Sequence, residues 1–376
     1  MKILYTFRSL AVWGGIERVL VEKMNNLVSM YGYDVYMLTT DQGTHPIPYK
    51  LEDKVHIEDI GIQFHLQYRS RGLRRLWEGW KRTRFFEKRF SEKINQIHPD
   101  VIVCTTADPV YSIVKVKDDI PLIVESHSIC LRTLGVKGVR QRYNAFLFRK
   151  GLKKVACLVS LTEGDVSEWM KIHSHVEVIP NIVHLNTGPV APLDSKRIIW
   201  VGRFDYQKCP MEIINIWRMV YPKFPDWHLD IYGEGEQRQE LEHVALSLNM
   251  NIHIHLPTDK IINSYIESSI LVSTSLFEPF GLVLPEAMSC GLPVVAFDCP
   301  YGPADIITDG DDGFLIKNRD IQAFADRVCQ LMANEDLRCQ MGQCGIESSQ
   351  RYQADRIMPM WKELFQSLIH SKDMSN

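Results

Sequence analysis

The chain has 376 residues, of which 45% are hydrophobic and 24% charged, and a formal net charge of −3; this length favours two domains over one. No apolar run approaches the roughly 20 residues that a membrane-spanning helix needs, and the N-terminus lacks the pattern of a secretory signal, so we expect a cytoplasmic protein. The nine cysteines are scattered without a C-x2-C pair, which argues against a disulfide framework and against a zinc site.

Charge is divided unevenly along the chain. Residues 1–185 contain 27 Lys and Arg against 20 Asp and Glu, whereas the remainder contains 16 against 26. The positive charge concentrates in two stretches of the N-terminal half. Residues 69–93 hold ten basic and three acidic side chains, and residues 132–154 hold eight basic and no acidic ones. The two halves are therefore expected to meet different partners.

The N-terminal half alternates short apolar or β-branched runs with helix-compatible segments, which predicts a parallel sheet with crossover helices. The first run leads to Gly14 and Gly15 at the start of a helix, where backbone N–H groups can approach an anion. A bare Gly-Gly pair is equally typical of a tight strand-to-helix loop. The predicted strands are Lys2–Thr6, Asp34–Leu38, Val101–Cys104, Leu122–Glu125 and Val155–Leu161.

The segment His184–Ser195 has the composition of a linker, and the alternating pattern restarts after it. A final amphipathic run from Ala354 predicts a C-terminal helix. We therefore predict domains over residues 1–188 and 189–352, followed by a helix and tail over residues 353–376. The predicted strands of the second domain are Arg197–Val201, His228–Tyr232, Ile252–His255, Ile270–Thr274, Pro293–Phe297 and Phe314–Ile316.

Two cations follow the first strand of the second domain. Arg203 and Lys208 lie in a strand-to-helix loop, and a pair of cations at the carboxyl end of a strand suits a diphosphate. Taken alone, the pair would more often be solvated surface charge.

Glu278 and Glu286 are separated by seven residues in the segment EPFGLVLPE. This spacing places Glu278 in a crossover loop and Glu286 in the first turn of the next helix. A carboxylate at Glu286 can accept from two ribose hydroxyls, and Gly281 lets loop amides reach phosphate oxygens. Complementing the helix dipole would explain Glu286 alone, but not the whole set.

Five segments together resemble glycosyltransferase family 4, whose members are retaining enzymes of the GT-B fold: GGIERV, VIPNIV, VGRFDYQK, YGEGEQRQELE and EPFGLVLPEAMSCGLPVVAFD. The resemblance runs from Met1 to about Gln366. It implies an α/β fold of two Rossmann-like domains facing a central cleft, with the C-terminal helix returning to the N-terminal domain. It also implies a nucleotide-sugar donor as substrate, and we assign no protein nucleophile. A metal would be redundant beside two cations, so no metal or other cofactor is expected.

The resemblance implies a role for each residue that matches a family motif. Arg203 and Lys208 match the pair that neutralises the donor diphosphate. His127 and Glu278 match residues beside the transferred sugar and are the candidate catalytic residues, although a lone histidine at a strand end is more often structural. The other matches contact the ribose, the diphosphate, the sugar or the base: Glu286, Gly15, Phe280, Gly281, Leu282, Val283, His255 and Leu256. Pro257, where relatives often carry Gly, and Cys209-Pro210 depart from the family pattern.

We therefore expect a hexosyltransferase that moves a hexose or N-acetylhexosamine to a lipid-linked or polysaccharide acceptor in surface glycan biosynthesis. The run FDCPYGPADII is similar to members that use UDP-sugars, which favours UDP-galactose or a UDP-N-acetylhexosamine. The alternatives are a nucleotide-sugar epimerase or a phosphorylase on the same fold, and a non-catalytic protein that binds membrane surfaces. An NAD-dependent oxidoreductase is disfavoured because no G-x-G-x-x-G follows a strand.

The first basic stretch, RSRGLRRLWEGWKRTRFFEKRF, interleaves apolar and cationic side chains. This pattern is typical of a segment in a membrane interface, although the same residues can pack a surface helix onto its domain. We predict that an acceptor or an anionic membrane surface meets Arg74, Arg75, Lys81 and Arg82. The protein would then be peripheral at the inner face of the cell membrane. No nucleic-acid motif accompanies the charge, so nucleic acid is not an expected partner.

Overall fold

The computed structural model describes residues 1–135 and 138–373. Lys137, which belongs to the second basic stretch, and the last three residues of the predicted tail lie outside the described residues. The chain divides into two compact units. The first holds Met1–Leu161, Asp165–Ile182 and the chain from Ala354 onward, and the second holds Thr162–Gly164 and Val183–Gln353.

The first unit is built on a parallel sheet of seven strands. The strands are β1 (Lys2–Phe7), β2 (Asp34–Thr39), β3 (Val55–Asp59), β4 (Val101–Thr105), β5 (Leu122–Ser126), β6 (Cys157–Ser160) and β7 (Val176–Val178). Their order, β3-β2-β1-β4-β5-β6-β7, reverses between β1 and β4. All residues of β4, β5 and β6 are buried, as expected for strands covered on both faces.

Helices cover both faces of this sheet and form two core layers. One layer packs Met24 and Leu27 on one face, and the other packs Phe86, Phe90 and Trp169 on the opposite face. The helices are α1 (Gly15–Tyr31), α2 (Gly72–Ile97), α3 (Val110–Val116), α4 (Cys130–Leu134), α5 (Val139–Leu152) and α6 (Glu163–Met170), with a 3-10 helix at Phe64–Arg69.

The second unit contains a parallel sheet of six strands. The strands are β8 (Arg197–Val201), β9 (His228–Tyr232), β10 (Ile252–His255), β11 (Ile270–Ser273), β12 (Val294–Asp298) and β13 (Gly313–Lys317). Their order is β10-β9-β8-β11-β12-β13, which reverses between β8 and β11. The helices are α7 (Pro210–Val220), α8 (Arg238–Leu248), α9 (Ile261–Ile266), α10 (Val283–Ser289), α11 (Gly302–Ile306), α12 (Ile321–Ala333) and α13 (Glu335–Ser349), followed by a 3-10 turn at Gln350–Tyr352.

The last helix, α14 (Ala354–Asp373), belongs to the first unit. Its apolar face, which includes Trp361 and Phe365, is buried in the same core layer as α1. The return of the C-terminal helix to the N-terminal domain is thus confirmed, as is the predicted α/β class with two doubly wound sheets. Among the residues that the structure describes, no helix combines the length and the apolar character that crossing a bilayer requires.

Candidate active site

In the second unit, the candidate residues gather where the strand order reverses. β8 is connected to one side of the sheet and β11 to the other, so the loops that follow these neighbouring strands diverge. Ligands of doubly wound sheets bind beyond the carboxyl ends of the strands at such a point. The loop after β8 carries Arg203 and Lys208. The loop after β11 carries Glu278 and leads into α10, which contains Glu286 in its first turn as predicted.

Lys208 and Glu278 form a largely buried ion pair. The Lys208 ammonium contacts Oε1 of Glu278, and the two side chains are only 16% and 5% exposed. The hydroxyl of Ser275 donates to the same carboxylate oxygen at 2.6 Å. Buried charges need such partners, because removing an unpaired ion from water is costly. The structure therefore joins the residue expected at the diphosphate to the one expected at the transferred sugar.

Arg203 lies in a different environment from Lys208. Its side chain is 68% exposed, and its guanidinium lies 3.1 Å from a carboxylate oxygen of Asp205 and donates to Gln207 at 3.3 Å. Exposed pairs of this kind contribute about 0–1 kcal/mol. The Arg203 side chain can therefore turn towards an anion at little cost.

The ends of β8 and β11 are held together by hydrogen bonds that the sequence did not reveal. The Trp200 indole donates to the Thr274 hydroxyl at 2.9 Å, and that hydroxyl donates to the Cys209 carbonyl at 3.0 Å. Arg319, just beyond β13, donates to the carbonyls of Thr274 and Ser275 at 3.1 and 2.8 Å. These bonds fix the backbone from which Glu278 projects.

The run FDCPYGPADII supports the backbone of the same loop. The Glu278 N–H donates to the Pro300 carbonyl at 2.7 Å, and the N–H groups of Tyr301 and Gly302 donate to the Glu278 carbonyl at 2.9 Å. A Cβ atom on Gly302 would lie 1.8 Å from the Phe280 carbonyl oxygen. This run therefore has a structural task beside Glu278, and its glycine is required by the close approach.

The segment between the two glutamates is packed tightly. Glu286 is buried, and the Tyr265 hydroxyl of α9, which the sequence analysis did not predict, lies 3.4 Å from its Oε2. The buried Phe280 ring packs edge-on against Tyr352. Gly281 has a φ of 103°, a value that favours glycine. The remaining predicted residues of this loop are half-buried at the start of α10: Leu282 and Val283.

Gly233 and Gly235 serve packing, which agrees with the absence of a dinucleotide fingerprint. A Cβ atom on Gly233 would lie 1.9 Å from the Gly202 carbonyl oxygen, and one on Gly235 would lie 2.4 Å from that of Phe204. The loop that carries Arg203 rests on these two glycines.

His255 ends β10 with its ring held by neighbours. The ring stacks on Tyr232 with centroids 4.3 Å apart, and Nε2 lies 2.7 Å from an Asp230 carboxylate oxygen. The His255 carbonyl accepts from the Gly233 N–H at 3.2 Å, and Leu256 is exposed. Base recognition by the backbone at this strand end stays a prediction.

In the first unit, the Gly-Gly pair marks the start of α1. Gly14 is the N-cap and Gly15 is the first, exposed residue of the helix. A Cβ atom on Gly14 would lie 2.1 Å from a carboxylate oxygen of Glu17. The Tyr49 hydroxyl donates to the Gly14 carbonyl at 2.9 Å, and Trp13 packs edge-on against the Tyr49 ring. Gly14 is thus needed for packing, whereas Gly15 presents accessible backbone.

His127, just beyond β5, is linked to two buried charges. Its Nε2 lies 3.1 Å from Oε2 of Glu125, and the Lys23 ammonium of α1 contacts the other carboxylate oxygen. Burial alone would raise the pKa of Glu125, but Lys23 and the His127 ring outweigh burial and lower the pKa to about 2. The carboxylate is therefore ionised. The available signal was one charged residue in the otherwise apolar strand LIVES, and the sequence analysis passed over it.

The first basic stretch lies on α2 and changes character along the helix. The N-terminal half exposes large apolar side chains, with Leu73 83% and Trp80 60% exposed, whereas Phe86 and Phe90 are buried. Of the four cations predicted to meet a membrane or acceptor, two are exposed and two are half-buried. The exposed cations are Arg74 and Lys81, and the half-buried cations are Arg75 and Arg82.

The two half-buried cations hold local structure. Arg82 donates to the Ile62 carbonyl at 2.6 Å. The guanidinium of Arg75 lies 4.4 Å from the centre of the Tyr68 ring, and that of Arg140 on α5 lies 5.5 Å from the same ring. The starts of α2 and α5 therefore adjoin at Tyr68, which brings the two basic stretches together.

Within the described part of the chain, no three His, Cys, Asp or Glu side chains come together as metal ligands. Metal independence stays a prediction that requires an activity measurement.

Two doubly wound sheets, with a Lys-Glu pair and a buried glutamate at the switch point of the second, define a GT-B glycosyltransferase. Residues 13–187 match the family model described as Glycosyltransferase Family 4, and residues 188–348 match the model described as Glycosyl transferases group 1. The chain belongs to the family 4 glycosyltransferases that combine these two domains.

Similar proteins include the amylovoran biosynthesis glycosyltransferase AmsD of Erwinia amylovora, which is 28% identical over 96% of this chain and 99% of that protein. An exopolysaccharide phosphotransferase of Streptomyces coelicolor is 31% identical over 58% of this chain, and the match spans 24% of that protein's length. The crystal structure of S. aureus TarM in complex with Fondaparinux, alpha-GlcNAc-glycerol and UDP superposes with a TM-score of 0.78. That match covers 97% of this chain and 99% of TarM at 15% identity, and it shows a shared fold.

Proposed function

We propose that the protein is a retaining glycosyltransferase that moves a hexose or N-acetylhexosamine from a UDP-sugar to a lipid-linked or polysaccharide acceptor of a surface glycan. The observation that carries the proposal is the buried Lys208–Glu278 pair at the switch point, followed by Glu286 in the next helix. The similarity to AmsD, which is named for amylovoran synthesis, supports a surface-glycan role. The TarM complex with UDP and alpha-GlcNAc-glycerol supports the nucleotide and an alpha-linked product.

The charges fit the demands of glycosyl transfer. Breaking the bond between the sugar C1 and the diphosphate leaves negative charge on UDP, and Lys208 and Arg203 supply positive charge for it. Glu286 accepts from the ribose hydroxyls, and Glu278 accepts from a hydroxyl of the sugar. The acceptor oxygen bonds to C1 on the face that UDP leaves, and the acceptor proton passes to the departing phosphate oxygen. The configuration at C1 is therefore retained without a protein nucleophile.

The test is a screen of UDP- and GDP-sugars for thermal stabilisation, since a bound ligand raises apparent stability. Turnover with short glycans and the anomeric configuration of the product by NMR complete it. We expect stabilisation by one UDP-sugar and an alpha-linked product. Conversion of the UDP-sugar without an acceptor would instead indicate an epimerase, and synthesis that requires a sugar phosphate or inorganic phosphate would indicate a phosphorylase. A beta-linked product from an alpha-linked donor would refute retention.

We further propose that the first unit docks on an anionic membrane surface to reach its acceptor. The docking element is the basic-aromatic surface, defined as the exposed side chains Tyr68, Leu73, Arg74, Leu76, Trp77, Trp80 and Lys81. Exposed aromatic and aliphatic groups beside cations suit the boundary between headgroups and acyl chains. Each cation near an anionic leaflet contributes about 1 kcal/mol. The arginines of α2 and α5 that adjoin at Tyr68 extend the positive charge across both helices.

A further inference from the structure

Two buried charges in the first unit have no part in the proposed transfer. Lys23 on α1 and Glu125 on β5 are almost completely removed from solvent. A buried ion pair is seldom more stable than apolar side chains of the same volume, because both ions lose their hydration. Their arrangement therefore calls for an explanation beyond stability, and His127 is their shared neighbour.

The two oxygens of Glu125 have separate partners. Oε1 contacts the Lys23 ammonium, and Oε2 lies 3.1 Å from Nε2 of His127. An ionised carboxylate accepts hydrogen bonds and donates none, so Nε2 of His127 carries a proton and donates it. In the neutral ring, the lone pair is then on Nδ1. Lys23 also lies over the Trp361 ring, 4.1 Å from its centre, which fixes the ammonium on the side away from the carboxylate.

We infer that Lys23 and Glu125 are positioning residues that fix the orientation and the tautomer of His127, so that Nδ1 accepts from a hydroxyl of the transferred sugar. This inference rests on the proposed function, because it assumes that His127 meets the sugar. Lys23 occupies one carboxylate oxygen and thereby leaves the other for the ring. The pair acts on the reaction through His127 and does not itself touch the sugar.

The substitution Glu125→Gln tests the tautomer directly. The Lys23 ammonium only donates, so the amide oxygen of the glutamine must face Lys23 and its NH2 group must face His127. Nε2 then has to accept, and the ring proton moves to Nδ1. The volume of the side chain is unchanged, yet the tautomer is inverted. Exchanging an orienting carboxylate for an amide in a catalytic triad lowers kcat by about 10⁴, and we expect a loss of at least about tenfold here.

A matched control lies on the edge of the same sheet. His175 Nε2 lies 3.2 Å from a carboxylate oxygen of Glu177 on β7, where both side chains are exposed. Glu177→Gln therefore makes the same chemical change beside a histidine that has no proposed role. We expect wild-type turnover in this variant.

The measurements are long-range ¹H–¹⁵N NMR spectra of the histidine rings, kcat with the donor identified by the screen, and UDP affinity by calorimetry. We expect His127 protonated on Nε2 in the wild type and on Nδ1 in Glu125→Gln, with lower kcat and unchanged UDP affinity. A wild-type ring protonated on Nδ1 alone overturns the inference even if the variant fails to fold.

The two possible failures are distinguishable. If the wild type turns over no nucleotide sugar, the proposed function fails. If turnover is normal in a Glu125→Gln protein whose tautomer is inverted, the positioning role fails and the proposed function stands.

Discussion

Removing one partner of the Lys208–Glu278 pair separates its contribution to stability from its contribution to donor binding. Lys208→Met leaves the Glu278 carboxylate, which is 5% exposed, with the Ser275 hydroxyl but without a cation. Breaking a buried pair in this way costs roughly 3–5 kcal/mol. Because Lys208 retains 16% exposure, water can relieve part of the penalty, and we expect a value near about 3 kcal/mol.

The double variant Lys208→Met/Glu278→Gln removes both charges and keeps an acceptor for Ser275. Replacing a whole buried pair by neutral groups of similar volume is often nearly neutral, so its free energy of unfolding should lie within about 1 kcal/mol of the wild type. Arg203→Ala is the matched control, because its exposed pair should also cost at most about 1 kcal/mol. All three variants lose a cation at the diphosphate and should bind UDP more weakly by about 1.5–3 kcal/mol.

Urea unfolding of the second unit and calorimetric titration with UDP measure the two effects independently. The expected pattern is one unstable variant and two stable variants, all with Kd raised roughly ten- to hundredfold. A double variant as unstable as Lys208→Met would show that the pair is not the source of the penalty. Wild-type UDP affinity in all three variants would exclude this loop as the donor site.

Three further outcomes are expected. Turnover should persist after treatment with EDTA, because the cations of the donor loop replace a metal; activity that EDTA abolishes and Mg²⁺ or Mn²⁺ restores would contradict this. The wild type should co-sediment with anionic vesicles at low salt, and Arg74→Glu/Lys81→Glu should lose binding whereas the charge-matched control Lys223→Glu/Lys260→Glu should keep it; equal binding of both variants would remove the docking proposal. Burial raises the pKa of Asp108 to about 7, so the folded protein holds this proton more tightly than the unfolded chain. The stability from this group is complete below about pH 4 and is lost as the pH rises through about 7, and Asp108→Asn should therefore raise the free energy of unfolding at pH 8 by up to about 4 kcal/mol, with a smaller gain at pH 5. Identical pH dependence of unfolding in the variant and the wild type would refute this assignment.

The sheets could be predicted from the sequence where burial is complete. The strands of the second unit read as continuous apolar runs, and their predicted bounds agree almost to the residue with β8 to β13. The two strands that were missed are both at the edges of the first sheet. β3 alternates charged with apolar residues and β7 has only three residues, none of them buried. Half-exposed edge strands carry a weak hydrophobic signal.

The site was predictable in composition but not in its contacts. Lys208, Glu278 and Glu286 occupy motif positions, yet the pairing of the first two joins residues 70 positions apart, and no local pattern encodes it. Arg319 binds backbone carbonyls, which look the same in every sequence. Lys23 lies in a helix rich in charged residues and resembles a solvated lysine until the strand beneath it is known to contain Glu125.

The position of α14 determines the order in which the two units can mature during synthesis. The second unit is nearly continuous in sequence and can form its core once the ribosome has released residue 353. The first unit emerges earlier but lacks the layer that contains Trp361 and Phe365 until the final helix appears. Until then, Lys23 and the apolar face of α1 have no cover from α14. The half of the protein that is translated first is therefore the half that is completed last.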